Sequence, residues 1–359
     1  MKKALIINEG FSNNLGDQAI RESMTNLLQD SGYITNFAYF TNPGIRQLPS
    51  YDYLTAVPVP QKELSALQLA KLKFSRWYWI ARNYKAMVKI LKEGNYDVVV
   101  IGGGQLIESS RRSFTSRFAI AIDWWTRLIK EHSKAKIWLI GVGVGTSFNK
   151  QEQELFSKAL SRVDIAWVRD SFSQSVLKEK FGISAILTPD IAFYNSRNSM
   201  EQANTNRKAL VGITSYQEVY LRYNAANAKS KQEYYDEWYG IVKQYEDQGL
   251  AVELFYTTIT DAAETVLFRD YVRERYGKEL PVAELSTVTE LKNLYMEASE
   301  VYAGRMHALI LAMKHQCKVK PYLISQKLKS FNEEYIIPDM SMEYSHKIRR
   351  TFNELVADS

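Results

Sequence analysis

An arginine and a histidine two residues apart form the densest local arrangement of cation and titratable group in this chain. They lie in Ala303-Gly304-Arg305-Met306-His307-Ala308-Leu309-Ile310-Leu311-Ala312, where a short apolar run turns into an apolar helical stretch. A helix N-terminus carries partial positive charge and open amides. Arg305 and His307 there would make an anion site with a proton donor or acceptor inside it. The alternative is a core histidine satisfied by backbone. The other histidines are placed differently: His132 and His315 lie among lysines on helix faces, and His346 is in the C-terminal tail.

Three further motifs stand at strand ends. Asn13-Asn14-Leu15-Gly16-Asp17-Gln18-Ala19-Ile20 follows the first apolar run and opens a helix, so Asp17 either caps that helix or meets a sugar hydroxyl. Ile101-Gly102-Gly103-Gly104-Gln105 closes another run, and glycine amides there can form an anion nest or only a structural turn. Position 107 is isoleucine, so the dinucleotide-binding glycine fingerprint is incomplete. Gly141-Val142-Gly143-Val144-Gly145 repeats the pattern and the deficiency. In Trp167-Val168-Arg169-Asp170-Ser171, Asp170 or Ser171 would cap a helix. Arg169 offers a planar fork to a carboxylate or phosphate, or else pairs with Asp170 or Asp164. Pro189-Asp190 places one more carboxylate at a strand end.

These residues need elements to hold them. Apolar runs at 4–8, 35–40, 97–101, 136–141, 165–168 and 185–187 read as buried strands, alternating with helices near 17–31, 64–93, 114–132, 151–161 and 171–180. The polar stretch 195–207 reads as a linker. The pattern restarts with strands at 209–214, 252–257, 301–303 and 319–324, and with helices near 231–248, 262–276, 288–297 and 306–315. The expected fold class is α/β, with two Rossmann-like domains facing a central cleft. The divisions are 1–200, 201–330, and a helical C-terminal segment 331–359 that could cross back to the first domain. A chain of 359 residues with 46% apolar content is long enough for two cores.

The net charge of +6 favours anionic partners without choosing among them. The single cysteine, Cys317, excludes an intrachain disulfide and a cysteine-clustered metal site, and no metal or redox cofactor is expected. The apolar run after Met1-Lys2-Lys3 stops at Asn8-Glu9, which suits a buried strand better than a signal peptide. A cytoplasmic protein is expected. Residues 71–85 mix lysine and arginine with Phe74, Trp77, Tyr78, Trp79 and Tyr84. They read as a helix packed on the sheet, or as a contact with acidic lipid at the inner face of the plasma membrane. Arg111, Arg112 and Arg117, after the first glycine run, are candidates for meeting a diphosphate group.

Taken in order, these motifs resemble the polysaccharide pyruvyl transferase family over about 13–331. The residues that carry the resemblance are Asn14, Gly16, Asp17 and Ala19; Gly102–Gly104; Gly141–Gly145; Arg169, Asp170, Ser173, Leu177 and Gly182; Pro189, Asp190 and Phe193; and Arg305, His307 and Ala312. Ala303 stands where the family usually has serine, and Thr146 where it often has proline; neither change removes a charged group. The resemblance implies a fold similar to the B-type glycosyltransferases, phosphoenolpyruvate as donor and a sugar as acceptor, lipid-linked or not. The product would be a pyruvate ketal in a surface polysaccharide. It further implies His307 and Asp17 as catalytic residues. Arg305, Arg169 and Gly102–Gly104 would hold the donor, with Asn14, Asp190, Arg111 and Arg112 on the acceptor side or supporting. Two other readings stay open. One is a nucleotide-sugar-dependent glycosyltransferase holding a ribose on Glu284 or Glu290; the other is a non-catalytic module for anionic glycans. A nucleic-acid partner is not expected.

Overall fold

The computed structural model describes residues 1–54, 75–109, 115–196 and 207–357. The first sheet contains β1 (Lys3–Asn8), β2 (Ile34–Tyr39), β3 (Val98–Ile107), β4 (Lys136–Val144), β5 (Ile165–Val168) and β6 (Ile186–Leu187). Its order is β2-β1-β3-β4-β5-β6, with every pair parallel. The second sheet contains β7 (Lys208–Gly212), β8 (Ala251–Leu254), β9 (Glu300–Ala303) and β10 (Lys318–Pro321), in the parallel order β10-β9-β7-β8. Helices cover both faces, which is why β1, β3 and β4 are almost wholly buried and lack an alternating pattern.

Strand order reverses between β1 and β3 in the first sheet and between β7 and β9 in the second. The crevice beyond the carboxyl ends of such a strand pair is where ligands of open α/β sheets lie. The chain beyond β1 carries Glu9 and Asp17, the end of β3 carries the three glycines, and β9 runs into Arg305 and His307.

Direct contacts join the two halves. The Leu15 amide donates to the Thr257 carbonyl at 2.8 Å, and Asn14 bridges Thr258 in antiparallel fashion. Tyr53 stacks on Tyr256 with centroids 5.7 Å apart. One apolar core runs through Ile191 and Phe193 to Leu309 and Ile310. The helices Gln326–Tyr335 and Ser341–Ala357 return to the first sheet: Ser171 Oγ donates to Glu334 at 2.6 Å, and Phe352 meets Trp138 edge to face.

The glycine runs differ from the turns expected of them. Strand β3 continues through Gly102–Gly104 to Ile107, with a register break against β4 after Gly104. A β-carbon on Gly102 would lie 1.9 Å from the Ile140 carbonyl oxygen, and Gly103 and Gly104 take φ of +75° and +76°. The glycines therefore bend a strand pressed against its neighbour. The helix expected over 64–93 is described from Ser75 to Gly94, and 197–206 of the expected linker lie outside the described residues.

Candidate active site

The most constrained part of the site is a buried cluster formed by the ends of both sheets. Asp190 begins a 3-10 turn after β6 and accepts the Ala192 amide at 2.9 Å. Its other oxygen accepts Arg169 Nη1 at 3.0 Å and lies 3.4 Å from His307 Nε2. Arg169 follows β5, is only 2% exposed, and also reaches Gln105 Oε1 at 3.3 Å and Asp170 at 3.5 Å. Burial pushes the Asp190 carboxyl up, but His307, Arg169 and the Ala192 amide outweigh it and hold the group well below the usual range. Burial, with Lys327 and Arg169 adding to it, lowers the His307 pKa below its usual value despite Asp190. The pairing expected for Arg169 is found with Asp170 but not with Asp164, which binds Lys130 instead.

Asp17 lies across from this cluster. Asn14, not Asp17, caps the helix Leu15–Asp30, accepting the Gly16 amide at 2.9 Å. His307 packs against that turn: a β-carbon on Gly16 would lie 2.7 Å from His307 Cβ and 2.9 Å from its Nδ1. Asp17 accepts Ser12 Oγ at 2.9 Å, and burial raises its proton affinity although His307 partly opposes the shift. Glu9, one residue past β1, is pushed up to about 7 by burial, with Asp17 adding to the effect.

Besides Glu9, two further residues that sequence reasoning missed belong to the site. Asp261 chelates Arg305, accepting Nε at 2.6 Å and Nη2 at 2.8 Å, and is 1% exposed. Arg305 thus keeps its charge but has part of it neutralised. Lys327, near the start of the helix Gln326–Tyr335, forms no ion pair among the described residues. Burial, reinforced by Arg169, lowers it to about 7. Asp261 lies three residues after the capping Thr258, where a carboxylate reads as part of a helix cap. Lys327 lies two residues after the capping Ser325, itself four residues beyond β10, a position that gave it no distinct signal in the sequence.

These groups border a two-lobed cavity. The smaller lobe, about 220 Å³, is lined by Glu9, Asn14, Asp17, Gly103, Gly104, Arg305, His307 and Lys327. The larger, about 440 Å³, shares Gln105, Glu108 and Lys327 with it and extends past Thr146, Ser173 and Tyr223. The expected residues Asp17, Asn14, Gly103, Gly104, Arg305 and His307 therefore meet in one place. Arg169 and Asp190 stand behind them, Gly102 supports the strand, and Arg111 and Arg112 lie outside the described residues. Glu290 is used in the cap of its own helix, accepting the Ser286 and Thr287 amides, and neither it nor Glu284 lines either lobe.

The fold has solved relatives. UDP-GlcNAc 2-epimerase from Methanocaldococcus jannaschii superposes with a TM-score of 0.53 at 9% identity, covering 97% of this chain and 92% of that one. The Neisseria meningitidis UDP-GlcNAc 2-epimerase bound to UDP-GlcNAc gives 0.50 at 11%, covering 99% and 92%. The glycosyltransferase SnogD from Streptomyces nogalater gives 0.44 at 13%, covering 100% of both. At such identities the likeness is one of fold: two parallel-sheet halves about a cleft, as in the two epimerases. No curated protein matches the sequence significantly. The sequence profile for polysaccharide pyruvyl transferase matches residues 14–319, which takes in β2 to β9 and Asp17, Arg169, Asp190, Arg305 and His307. This chain belongs to the polysaccharide pyruvyl transferase family.

Proposed function

We propose that this protein transfers the enolpyruvyl group of phosphoenolpyruvate onto two hydroxyls of a sugar, yielding a cyclic pyruvate ketal and phosphate. One observation carries the reading: Arg305, His307 and Lys327 share a small cavity with the carboxylates Asp17 and Glu9. A donor with a carboxylate and a phosphate needs several cations and amide donors, and a ketal-forming reaction needs groups that hold and release protons. In the reaction, C3 of the donor gains a proton, and C2 becomes electrophilic. One hydroxyl adds to C2, the C2–O bond to phosphate breaks, and the second hydroxyl closes the ring. Two hydroxyl protons are released; one balances the proton taken by C3 and the other leaves on phosphate. A bound phosphate raises the proton affinity of His307 and so favours the protonated imidazole that donates to C3. Asp17 takes the proton of the attacking hydroxyl. Arg169, Lys327 and the Gly103–Gly104 segment favour the donor's charges, and Arg305 does so with the charge Asp261 leaves it.

Phosphate release from phosphoenolpyruvate, with mass spectrometry of a panel of sugar acceptors for the ketal, tests this reading. Nucleotide release from a nucleotide sugar would favour a glycosyltransferase, and consumption of neither would favour a binding module.

The site also dictates a pH dependence. Lys327 at about 7 is charged below neutrality and neutral above it, whereas Glu9 at about 7 is neutral below and anionic above. Raising the pH therefore strips positive charge from the cavity and adds negative charge. KM for phosphoenolpyruvate is expected to rise about tenfold between roughly pH 6.5 and 8.5. Initial rates across that range check this, and Lys327→Met should flatten the rise.

Peripheral membrane contact is part of the proposal. No described helix is long and apolar enough to cross a membrane. In the helix Ser75–Gly94, however, Trp77 and Tyr78 are 71% and 67% exposed, beside the exposed Arg82 and Lys85. The next residue, Trp79, donates to the Thr41 carbonyl, and the Thr41 amide donates to Glu9. This face therefore lies near the cavity wall and suits an acidic lipid surface presenting a lipid-linked acceptor. Residues 71–74 lie outside the described part. Flotation with phosphatidylglycerol vesicles, but not with phosphatidylcholine alone, is expected for the wild type. Its loss is expected for Trp77→Ser/Tyr78→Ser, and failure of the wild type to float would end the idea.

A further inference from the structure

The geometry points to the larger lobe as the seat of a second, non-reacting sugar residue of the acceptor, with Tyr223 and Arg222 as its specificity-determining residues. The inference rests on the sugar acceptor of the proposed function and names its class: an oligosaccharide of at least two residues, read on its neutral faces.

The lobe differs chemically from the reaction cavity it joins. Its lining is rich in hydroxyls, among them Ser109, Ser147 and Ser330, together with the amides of Gln105 and Gln326. The ion pair that crosses it is internal, Arg222 Nη2 donating to Glu108 Oε1 at 3.0 Å, and the other charged lining residues, Asp170 and Lys327, are of opposite sign. Hydroxyls, amides and a locally balanced charge suit a neutral polyol better than a second phosphate. Tyr223 supplies the apolar surface, a ring 48% exposed on the cavity wall with the Arg222 guanidinium 5.0 Å from its centroid. An exposed tyrosine of this kind offers a rigid flat face and a hydroxyl, which is what the C–H face and edge of a sugar ring require.

The lobe is also coupled to the chemistry. Arg222 and Tyr223 sit on the short helix Leu221–Asn224, which follows a π turn at Tyr216–Tyr220. That turn begins at Ser215, whose amide donates at 2.9 Å to Asp261 Oδ1, the same oxygen that takes Arg305 Nη2. Tyr216 and Tyr220 stack with centroids 5.5 Å apart and pack on Tyr234, so the turn is anchored in the core. Arg222 on the second half meets Glu108 just past β3 of the first. A sugar residue in this lobe would touch both halves at once and set the reacting residue beside Asp17 and His307.

The test uses the full chain and a panel of methyl glycosides of common hexoses and N-acetylhexosamines. Each is offered as a monosaccharide and as disaccharides, with binding measured by saturation-transfer NMR without donor. Phosphoenolpyruvate binding is measured separately by thermal shift. At least one disaccharide is expected to bind about tenfold tighter than its terminal monosaccharide. Tyr223→Ala should erase that difference, Tyr223→Phe should largely keep it, and neither should change the phosphoenolpyruvate shift. A Tyr223→Ala variant that still prefers the disaccharide overturns the inference, as does a wild type that responds to phosphoenolpyruvate but to no disaccharide. If the wild type shows no response to phosphoenolpyruvate, the donor reading fails, while the glycan arm still decides the lobe.

Discussion

His307→Ala is expected to lower kcat for phosphoenolpyruvate-dependent phosphate release by about 10²–10⁴-fold, the usual cost of losing a positioned acid–base group. KM for the donor should rise much less, because the remaining cations of the site are untouched. The imidazole lies 3.4 Å from Asp190 and against Gly16, so it is held from two sides and aimed at the cavity by neighbours that survive its removal. Asp190 keeps Arg169 as its partner in the variant, so the fold should tolerate the loss. Asp190→Ala makes the contrast. It removes the closest carboxylate from a buried guanidinium, leaving only Asp170 and Gln105, which costs up to roughly 3–5 kcal/mol, and should lower Tm as well as activity. Phosphate release and thermal unfolding of the two variants check the pair. A His307→Ala enzyme within threefold of wild-type kcat would remove the residue from the chemistry.

Much of the candidate site was legible where a charged residue stood near the end of an apolar run, although Glu9, which directly follows the first strand, was passed over. Asp17, Arg169, Asp190, Arg305 and His307 could each be picked out because short buried strands are continuous runs and the residue that ends one is conspicuous. The same principle explains the ten strands, whose positions agree with the runs to within a few residues, except where β3 and β4 continue through their glycines. What could not be read was pairing across the cleft. Arg305 is the clearest case: from sequence alone it is a free guanidinium, but Asp261, 44 residues earlier, takes two of its nitrogens. Lys327 fails for the opposite reason. Nothing separates it from Lys329 in the run Gln326-Lys327-Leu328-Lys329 until the helix is placed and one lysine faces the cavity while the other is exposed. Partnerships of this kind depend on the packing of two sheets, which local periodicity does not encode.

Gly143→Ala is expected to raise KM for phosphoenolpyruvate at least about tenfold and to lower Tm by several degrees, although the glycine touches no substrate. Its backbone lies outside the left-handed region, so alanine is acceptable there on conformational grounds. The obstacle is Arg169: an added β-carbon would lie 2.4 Å from Nη2 and 2.8 Å from Cζ. A long side chain can usually swing aside, but this one is buried and its guanidinium is held by Asp190 at 3.0 Å and Gln105 at 3.3 Å. Moving it by about 1 Å to reach normal contact breaks the geometry that keeps Asp190 ionised beside His307. Gly145→Ala is the control, since its nearest neighbours are 3.5–3.6 Å away, and it should stay within about twofold of wild type. The decisive comparison is a double-mutant cycle. If Gly143 serves only to make room for Arg169, alanine at 143 should have almost no further effect once Arg169 is alanine. Equal penalties in both backgrounds would place the role of Gly143 in the strand itself and not in the donor site.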